Sequence, residues 1–415
     1  MRELLRHRDF RLLVIGQTTS IFGDTCMWLV LAMWAKSLTG SNGIAGSVFF
    51  ALALPGLLAP LAGLVVDRLP RRRVMVATDL ATGAVVLLLL LVHDRQDLWV
   101  IYLVAFLYGL SMFLFQSARS ALVHGMLPED QLGRANGVLT TIRETMRLVG
   151  PLAGAALFAV MGGGAVAVLD AVTFVVSAVA LLAMRGPDPK PRPSEHRWWP
   201  EITAGFRHIS HEATLLHLAI TSVICLLVFG IAESIGFAVV DGLGRPVEFL
   251  GVLSTIQGVG AVIAGVTTTV VIHRFGELRM VTYGLVAAVV GLLALAGHGL
   301  PQVAVGMFVV GLALPPIIVG MTTTLQKRTP PELQGRTMSA FDLLTTVPYT
   351  MSIAAGAVLV GIVPFRDLLV AMSVGVALAA AYAFVTLRPE EQAAGMVVGD
   401  AATLASEPES PGTGG

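Results

Sequence analysis

The chain has little charge and few cysteines for its length. Only 13% of its 415 residues are Asp, Glu, Lys or Arg, whereas 55% are hydrophobic, and soluble domains carry roughly 25% charged residues. The formal net charge is zero, which argues against a nucleic-acid-binding protein. The two cysteines, Cys26 and Cys225, fall in apolar stretches and indicate neither a disulfide framework nor a metal site. The composition therefore predicts an integral membrane protein.

Motifs of common enzymes are also missing. The chain has no GxxxxGK sequence to cradle a nucleotide phosphate, and His211-Glu212 lacks the second histidine of HExxH. The sequence Gly162-x-Gly164-x-x-Ala167 imitates a dinucleotide fingerprint, but it precedes an apolar stretch of membrane length. We therefore expect no enzymatic activity, no cofactor and no metal site.

Long apolar stretches dominate what is present. A bilayer core about 30 Å thick requires roughly 20 apolar residues in each membrane-spanning helix. Twelve windows meet this requirement, so the sequence predicts an all-α membrane protein with twelve spans, at residues 11–34, 43–66, 74–92, 98–122, 136–160, 165–185, 214–239, 248–272, 280–297, 301–325, 338–360 and 366–387. The first window is too long for a signal peptide and is followed by no small-residue cleavage site.

The distribution of basic residues predicts the orientation. If the N-terminus is cytoplasmic, 20 Lys and Arg residues lie on the cytoplasmic side and four lie outside, namely Lys36, Arg95, Arg245 and Arg366. Cytoplasmic loops of membrane proteins are enriched in Lys and Arg. We therefore expect a multi-pass protein of the bacterial plasma membrane with both termini in the cytoplasm.

The chain divides into two halves with related sequences. We expect six spans in residues 1–185, a cytoplasmic linker at 186–213, six spans in 214–388 and a disordered cytoplasmic tail at 389–415. The linker begins with four prolines between residues 187 and 193, which interrupt a helix, and continues with Trp198-Trp199, which would suit an interfacial helix. Pro128-Glu129-Asp130-Gln131-Leu132-Gly133-Arg134 after span four matches Pro330-Pro331-Glu332-Leu333-Gln334-Gly335-Arg336 after span ten. Such a repeat is typical of transporters built from two parallel halves.

The loop between spans two and three carries the most specific motif. Gly63 is followed after three residues by Asp67-Arg68, and after two more by Arg71-Arg72-Arg73. This loop resembles the signature of the major facilitator superfamily, and the resemblance extends over residues 1–388. It implies that Gly63, Asp67, Arg68 and Arg72 form a latch that holds the two halves in the outward-facing state. The arginines would also serve as ordinary cytoplasmic charges, and both roles are compatible.

Span five combines charge with small residues. At 100° per residue, one 80° arc of a helix would carry Asn136, Thr140, Arg143, Arg147, Gly150 and Gly154. An arginine in the bilayer centre costs at least about 2.5 kcal/mol, so we expect Arg143 and Arg147 to face a polar cavity, unless the helix projects into the cytoplasm. Gly150, Pro151 and Gly154 resemble the fifth-helix motif of drug:proton antiporters, although Met146 stands where that motif has another glycine.

Carboxyl groups within spans are candidates for proton coupling, because burial disfavours their charged form. Asp24 is predicted near or beyond the midplane, and Ser20-Ile21-Phe22-Gly23-Asp24 resembles first helices of the macrolide-efflux and enterobactin-exporter branch. Glu233 in span seven and Glu144 in span five are the other candidates. Asp24 and Glu233 would each also fit a structural ion pair or hydrogen bond.

Further polar residues receive weaker assignments. Gln17 and Gln257 are candidates for the wall of a substrate cavity. Three acids, Asp79, Asp170 and Asp342, are interpreted as interfacial or structural because each falls near the end of a window. Arg119 resembles the fourth-helix arginine of antiporters, although it lies close to the end of its span.

The resemblance implies a secondary transporter that exports a small amphipathic molecule in exchange for protons by alternating access. Its expected partners are the substrate, protons and the lipid bilayer, and we expect a monomer. Three alternatives stay open: a proton-coupled importer of a small polar solute, a lipid flippase on the same fold, and a membrane enzyme or sensor.

Overall fold

The computed structural model describes residues 7–58, 69–186, 188 and 198–405. Within these residues it contains helices and turns and no β-strand. The helices are α1 (Arg8–Thr39), α2 (Asn42–Ala53, continued by a 3₁₀ turn Leu54–Leu58), α3 (Arg71–Leu87, continued by Leu88–Leu91), α4 (Leu98–Met126, preceded by Arg95–Asp97), α5 (Glu129–Met161), α6 (Gly163–Leu182), α7 (Trp198–His211), α8 (Ala213–Gly242), α9 (Phe249–Phe275), α10 (Glu277–Leu295), α11 (Leu300–Lys327), α12 (Gln334–Ile362, preceded by Pro331–Leu333) and α13 (Phe365–Ala405).

The helices confirm the predicted all-α membrane architecture. Eleven helices among the described residues are long and apolar enough to cross a membrane, and α2 is a shorter apolar helix that leads into residues outside the described range. At 1.5 Å per residue, the 32 residues of α1 extend about 48 Å, more than a bilayer core of about 30 Å. Valine and leucine side chains remain exposed along the outward faces, for example Val266 at 73% and Leu182 at 64%. Such surfaces suit lipid better than water.

Tight turns connect several successive helices. Gly162 between α5 and α6 has φ +77°, and Gly276 between α9 and α10 has φ +82°. A residue with a side chain rarely adopts this backbone conformation. These glycines therefore allow the chain to reverse within one residue and set consecutive helices antiparallel.

The helices pack closely both within and between the two halves of the sequence. In the first half, α1 packs against α5 and α6, and α3 packs against α4 and α6. In the second half, α8 packs against α12 and α13, and α10 packs against α11 and α13. The halves meet where α2 contacts α8 and α12, and where α5 contacts α9. We call the two ends of the bundle the Lys36 end and the Arg72 end; the charge distribution predicts the Arg72 end to be cytoplasmic.

The linker and tail contain more helix than the sequence suggests. Helix α7 begins after the linker prolines and packs against α12, with Ile202 and Ile209 buried. The side chains of Trp198 and Trp199 lie outside what the structure describes. The predicted disordered tail differs from the structure, because α13 continues to Ala405. Residues 389–405 include Ala, Glu, Gln and Met, which favour helices; residues 406–415 lie outside the described range.

Candidate functional site

Two carboxyl groups converge on one tyrosine inside the first half. The hydroxyl oxygen of Tyr108 on α4 lies 2.6 Å from Asp24 Oδ1 on α1 and 3.1 Å from Asp170 Oδ2 on α6. Tyr108 and Asp170 are fully buried, and Asp24 is partly buried. We call these three residues the acid–tyrosine cluster.

A glycine permits this convergence. A Cβ atom on Gly23 would collide with the side chains of Asp170 and Thr173. Any larger residue would therefore push α1 away from α6. Thr173 also donates a hydrogen bond from Oγ1 to the backbone oxygen of Asp170, at 2.7 Å. Close approach of α1 and α6 is thus what brings Asp24 and Asp170 to the same tyrosine.

A guanidinium group lies beside the cluster. Arg119 on α4 is 7% exposed and donates from Nη1 to Gln17 Oε1 at 3.0 Å and from Nη2 to Gln116 Oε1 at 2.6 Å. Its charge lies within electrostatic range of Asp24 and of Arg143. Gln17 is 2% exposed, so it does not line a cavity as predicted. Its side-chain oxygen instead holds Arg119.

Asp79 and Asp170 lie deeper in the protein than the sequence suggests. Asp170 is 0% exposed and Asp79 is 1% exposed, so both fit the structural alternative rather than a solvent-exposed position at the interface. The prediction measured depth from the end of an apolar window. It missed that α6 packs against both α1 and α3 within the half. Asp342, by contrast, is exposed on α12.

The second half carries its own acid and tyrosine. Tyr349 on α12 donates from its hydroxyl to Glu233 Oε1 on α8, at 3.0 Å. The charge of Arg147 on α5 lies within electrostatic range of Glu233. Arg147 therefore interacts with a carboxyl group of the opposite half.

Three further predicted site residues, Arg143, Glu144 and Gln257, lie on α5 and α9. Arg143 is partly buried and Glu144 is exposed, and Glu144 forms no hydrogen bond or ion pair with the residues that the structure describes. The proton-coupling candidate Glu144 is therefore not brought to Asp24 or Glu233. Gln257 is partly buried on α9, next to Gly311 of α11.

The glycine–proline motif of α5 lies at a crowded crossing. A Cβ atom on Gly154 would be 2.8 Å from Cys26 Cα, and Cys26 Sγ lies 3.2 Å from the backbone oxygen of Gly150. On its other side, α5 meets α9, where Gly251 packs against Pro151 and Ala155. The motif therefore brings together helices of both halves.

The face of α5 changes character along its length. It is packed near Gly150 and Gly154, but Asn136, Thr140 and Glu144 toward the Arg72 end are exposed. At the Lys36 end, Lys36 of α1 contacts Asp241 of α8 at 2.5 Å. The described contacts thus join the halves at the Lys36 end, whereas toward the Arg72 end the polar residues of α5 are exposed.

Only one predicted latch residue can be placed. Gly63, Asp67 and Arg68 lie outside the described residues. Arg72 donates from Nη1 to the backbone oxygens of Met184 at 2.6 Å and Gly186 at 3.4 Å. In this conformation Arg72 therefore joins the start of α3 to the end of α6, within one half. The latch between halves stays a prediction.

The sequence analysis missed Tyr108, Tyr349 and the inclusion of Asp170 in the site. Tyrosine is scarce in this chain, with five residues, and a buried tyrosine hydroxyl requires a hydrogen-bond partner. Pairing each tyrosine in a span with an acid in another span would have suggested these contacts. The described residues contain no group of His, Cys, Asp and Glu suited to a metal ion.

Comparison with known proteins identifies the family. The sequence profile of the Major Facilitator Superfamily matches residues 13–244 and 220–404. The MFS-type transporter YfiS of Bacillus subtilis is 25% identical over 373 residues, which are 84% of this chain and 85% of that protein. Macrolide efflux protein A of Streptococcus pyogenes is 23% identical over 175 residues, which are 41% of this chain and 43% of that protein.

A solved structure has the same fold. A bacterial homologue of the iron transporter ferroportin, in an inward-facing state, superposes with a TM-score of 0.72 at 18% identity, covering 91% of this chain and 98% of that one. Together with the family match over most of the sequence and the two packed groups of spanning helices, this similarity places the chain in the Major Facilitator Superfamily of membrane transporters.

Proposed function

We propose that this transporter exports a small amphipathic molecule in exchange for protons by alternating access. The observation that carries the proposal is Asp24. It is a partly buried carboxyl group within a spanning helix, hydrogen-bonded to Tyr108 and within electrostatic range of Arg119. An ionisable residue inside a membrane span is costly and generally marks a substrate or ion pathway. Its protonation state can be linked to the conformation of the half that contains it.

The direction of transport rests on weaker support. The similarity to macrolide efflux protein A favours export and an amphipathic substrate. An anion importer is the alternative that a specific observation favours, because α5 carries two cations in its span: Arg143 lies within electrostatic range of Arg119 in the same half, and Arg147 lies within range of Glu233 in the other half. We further propose a monomer in the bacterial plasma membrane with the Arg72 end in the cytoplasm, as the basic residues predict.

Two experiments test the proposal in sequence. A toxicity panel in a pump-deficient host, with and without a protonophore, identifies a substrate. Expression of an exporter protects cells and the protonophore abolishes this protection, whereas expression of an importer sensitises cells to a toxic substrate. Protection that survives the protonophore would contradict proton coupling.

Transport in vesicles then tests Asp24 directly. We expect Asp24→Asn to lower gradient-driven transport by about tenfold or more, because an amide cannot take up and release the proton. The fold should persist, since a neutral amide costs less to bury than a charge. Asp342→Asn, which neutralises an exposed carboxyl group on α12, is the matched control. Accumulation by Asp24→Asn at the wild-type rate would exclude Asp24 as the coupling site and direct attention to Glu233.

A further inference from the structure

We propose that Asp24 and Asp170 hold one proton between them through Tyr108, so that the proton-binding unit is the acid–tyrosine cluster rather than Asp24 alone. This inference deepens the proposed function, because it names the groups that store the proton. It rests on the positions of three side chains from three different helices, α1, α4 and α6.

The hydrogen-bond geometry requires one bound proton on the two carboxyl groups. A tyrosine hydroxyl has one proton to donate and an oxygen that can accept. Tyr108 Oη lies 2.6 Å from Asp24 Oδ1 and 3.1 Å from Asp170 Oδ2. With both carboxyl groups ionised, one of these contacts would set two acceptor oxygens against each other. Both contacts are hydrogen bonds only if one carboxyl group is protonated and donates to the phenol oxygen.

The surroundings identify which acid holds the proton at rest. Burial disfavours the charged form of both acids, but Asp24 is partly exposed and lies within electrostatic range of the Arg119 cation, which opposes this effect. Asp170 is 0% exposed, and burial without a cation disfavours its charge. Tyr108 therefore donates to Asp24, and protonated Asp170 donates to Tyr108.

An independent observation is the excess of buried acid. Asp79 on α3 is 1% exposed, and the Ser177 hydroxyl on α6 lies near its carboxyl group. It lies within electrostatic range of Asp24. Three acids thus share this region with one buried cation, Arg119, and three ionised carboxylates would leave two negative charges uncompensated. A bound proton relieves that imbalance.

The charged groups around the cluster can be named helix by helix. Facing it are Asp79 on α3, Arg119 on α4 and, through Arg119, Arg143 on α5. The Cys26 thiol on α1 lies near Asp170. Helix α2, which also packs on α1, contributes no ionisable side chain. Arg119 is therefore the cation that opposes loss of the Asp24 charge.

The cluster can pass its proton to solvent without a charged tyrosine. Protonated Asp170 donates its proton to Tyr108 Oη while Tyr108 gives its own proton to Asp24 Oδ1. The result is an Asp170 carboxylate, a neutral Asp24 and an unchanged Tyr108. Asp24, which is the partly exposed member of the cluster, then releases the proton to water. Asp170 acts as the reservoir and Asp24 as the exchange point.

Infrared spectroscopy of the full chain in lipid nanodiscs tests this inference without substrate. A protonated carboxylic acid has a carbonyl stretch that a carboxylate lacks, and its amplitude can be normalised to the amide band. At neutral pH, Asp170→Asn should remove the amplitude of one carboxylic acid. Asp342→Asn, the exposed control, should leave the amplitude unchanged. An unchanged amplitude in Asp170→Asn would overturn the proposal.

Tyr108→Phe provides a second test that does not depend on the folding of Asp170→Asn. It keeps both acids and removes only the bridging hydroxyl. We expect a shift of about one pH unit in the midpoint of the titration, which is the pH at which half of the carbonyl amplitude is lost. This shift corresponds to the free energy of about one hydrogen bond. An unmoved midpoint would overturn the shared-proton arrangement. Since neither measurement involves transport, a positive result with no gradient-driven export would contradict only the proposed function.

Discussion

At the scale of single residues, the most informative pair after the acid–tyrosine cluster is Arg147 and Glu233. Their charges interact although α5 and α8 belong to different halves, and Tyr349 holds the Glu233 carboxyl group at 3.0 Å. The sequence predicted that Arg147 faces a polar cavity, and the candidate acid nearest to it along the chain is Glu144. Glu144 is exposed, and Glu233 is the acid within range.

This pair predicts a non-additive response to mutation. Arg147→Leu and Glu233→Gln should each lower transport by about tenfold, because each leaves the partner charge uncompensated in a span. The double variant should lose less than the product of the two effects, with a coupling of about 1–3 kcal/mol. Vesicle transport at matched protein amounts measures all three. Arg134→Leu, at an exposed position nearer the Arg72 end of α5, is the control.

Additive losses in the double variant would show that the two residues act independently. A fully active Arg147→Leu protein would instead show that Arg147 faces lipid, where leucine is readily accepted.

At the scale of helices, the crossing of α5 with α1 depends on the absence of side chains. We predict that Gly154→Ala lowers the apparent unfolding temperature in detergent, because the new Cβ would lie 2.8 Å from the backbone Cα and oxygen of Cys26. Inserting a methyl group into a packed core generally costs about 1–3 kcal/mol. Gly137→Ala on the same helix is the matched control, since a Cβ there meets nothing within 4 Å.

The two variants make the same chemical change, and alanine favours a helix over glycine by about 1 kcal/mol at both positions. Any difference between them therefore reports the contact with α1. Equal thermal stability of the two proteins would mean that α1 and α5 are less closely packed than the structure shows.

Helix boundaries were largely predictable, and the contacts between helices were not. Apolar windows of membrane length define α1 or α6 because the bilayer imposes that length. The convergence of Asp24 and Asp170 depends instead on the rotation and separation of α1 and α6, which Gly23 permits. A single sequence shows the glycine but not its neighbour. The position of Asp170 near the end of its apolar window therefore suggested a place near the membrane surface.

At the scale of the whole molecule, the halves are joined at the Lys36 end by a charged cluster. Lys36 Nζ donates to Asp241 Oδ2 at 2.5 Å, to Asn42 Oδ1 at 2.6 Å and to the backbone oxygen of Gly40 at 3.2 Å. All three donors of the ammonium group are used. Asn42 also donates to Asp241 Oδ2, at 3.0 Å. Residues from α1 and α2 of one half thus hold α8 of the other.

The proposed alternating access requires this end to open, so the cluster should stabilise the observed conformation. The Lys36 side chain is 10% exposed and that of Asp241 is 46% exposed, which makes the contact stronger than a fully solvated ion pair. We predict that Lys36→Met, which keeps an unbranched apolar side chain, shifts the conformational equilibrium toward the state in which the two halves are separated at this end. The expected shift is about tenfold, which corresponds to the loss of one charged hydrogen bond.

Spin labels at Gln96 and His298 can measure this shift, because both residues are exposed at the Lys36 end and belong to different halves. The native Cys26 and Cys225 are buried, which disfavours their labelling. Lys36→Met should add a longer component to the distance distribution, and exchanging the charges in Lys36→Asp/Asp241→Lys should reduce it. Lys327→Met, which removes an ion pair to Glu277 within one half, should leave the distribution unchanged. An identical distribution in wild type and Lys36→Met would show that packing of α2 against α8 and α12 closes this end without the ion pair.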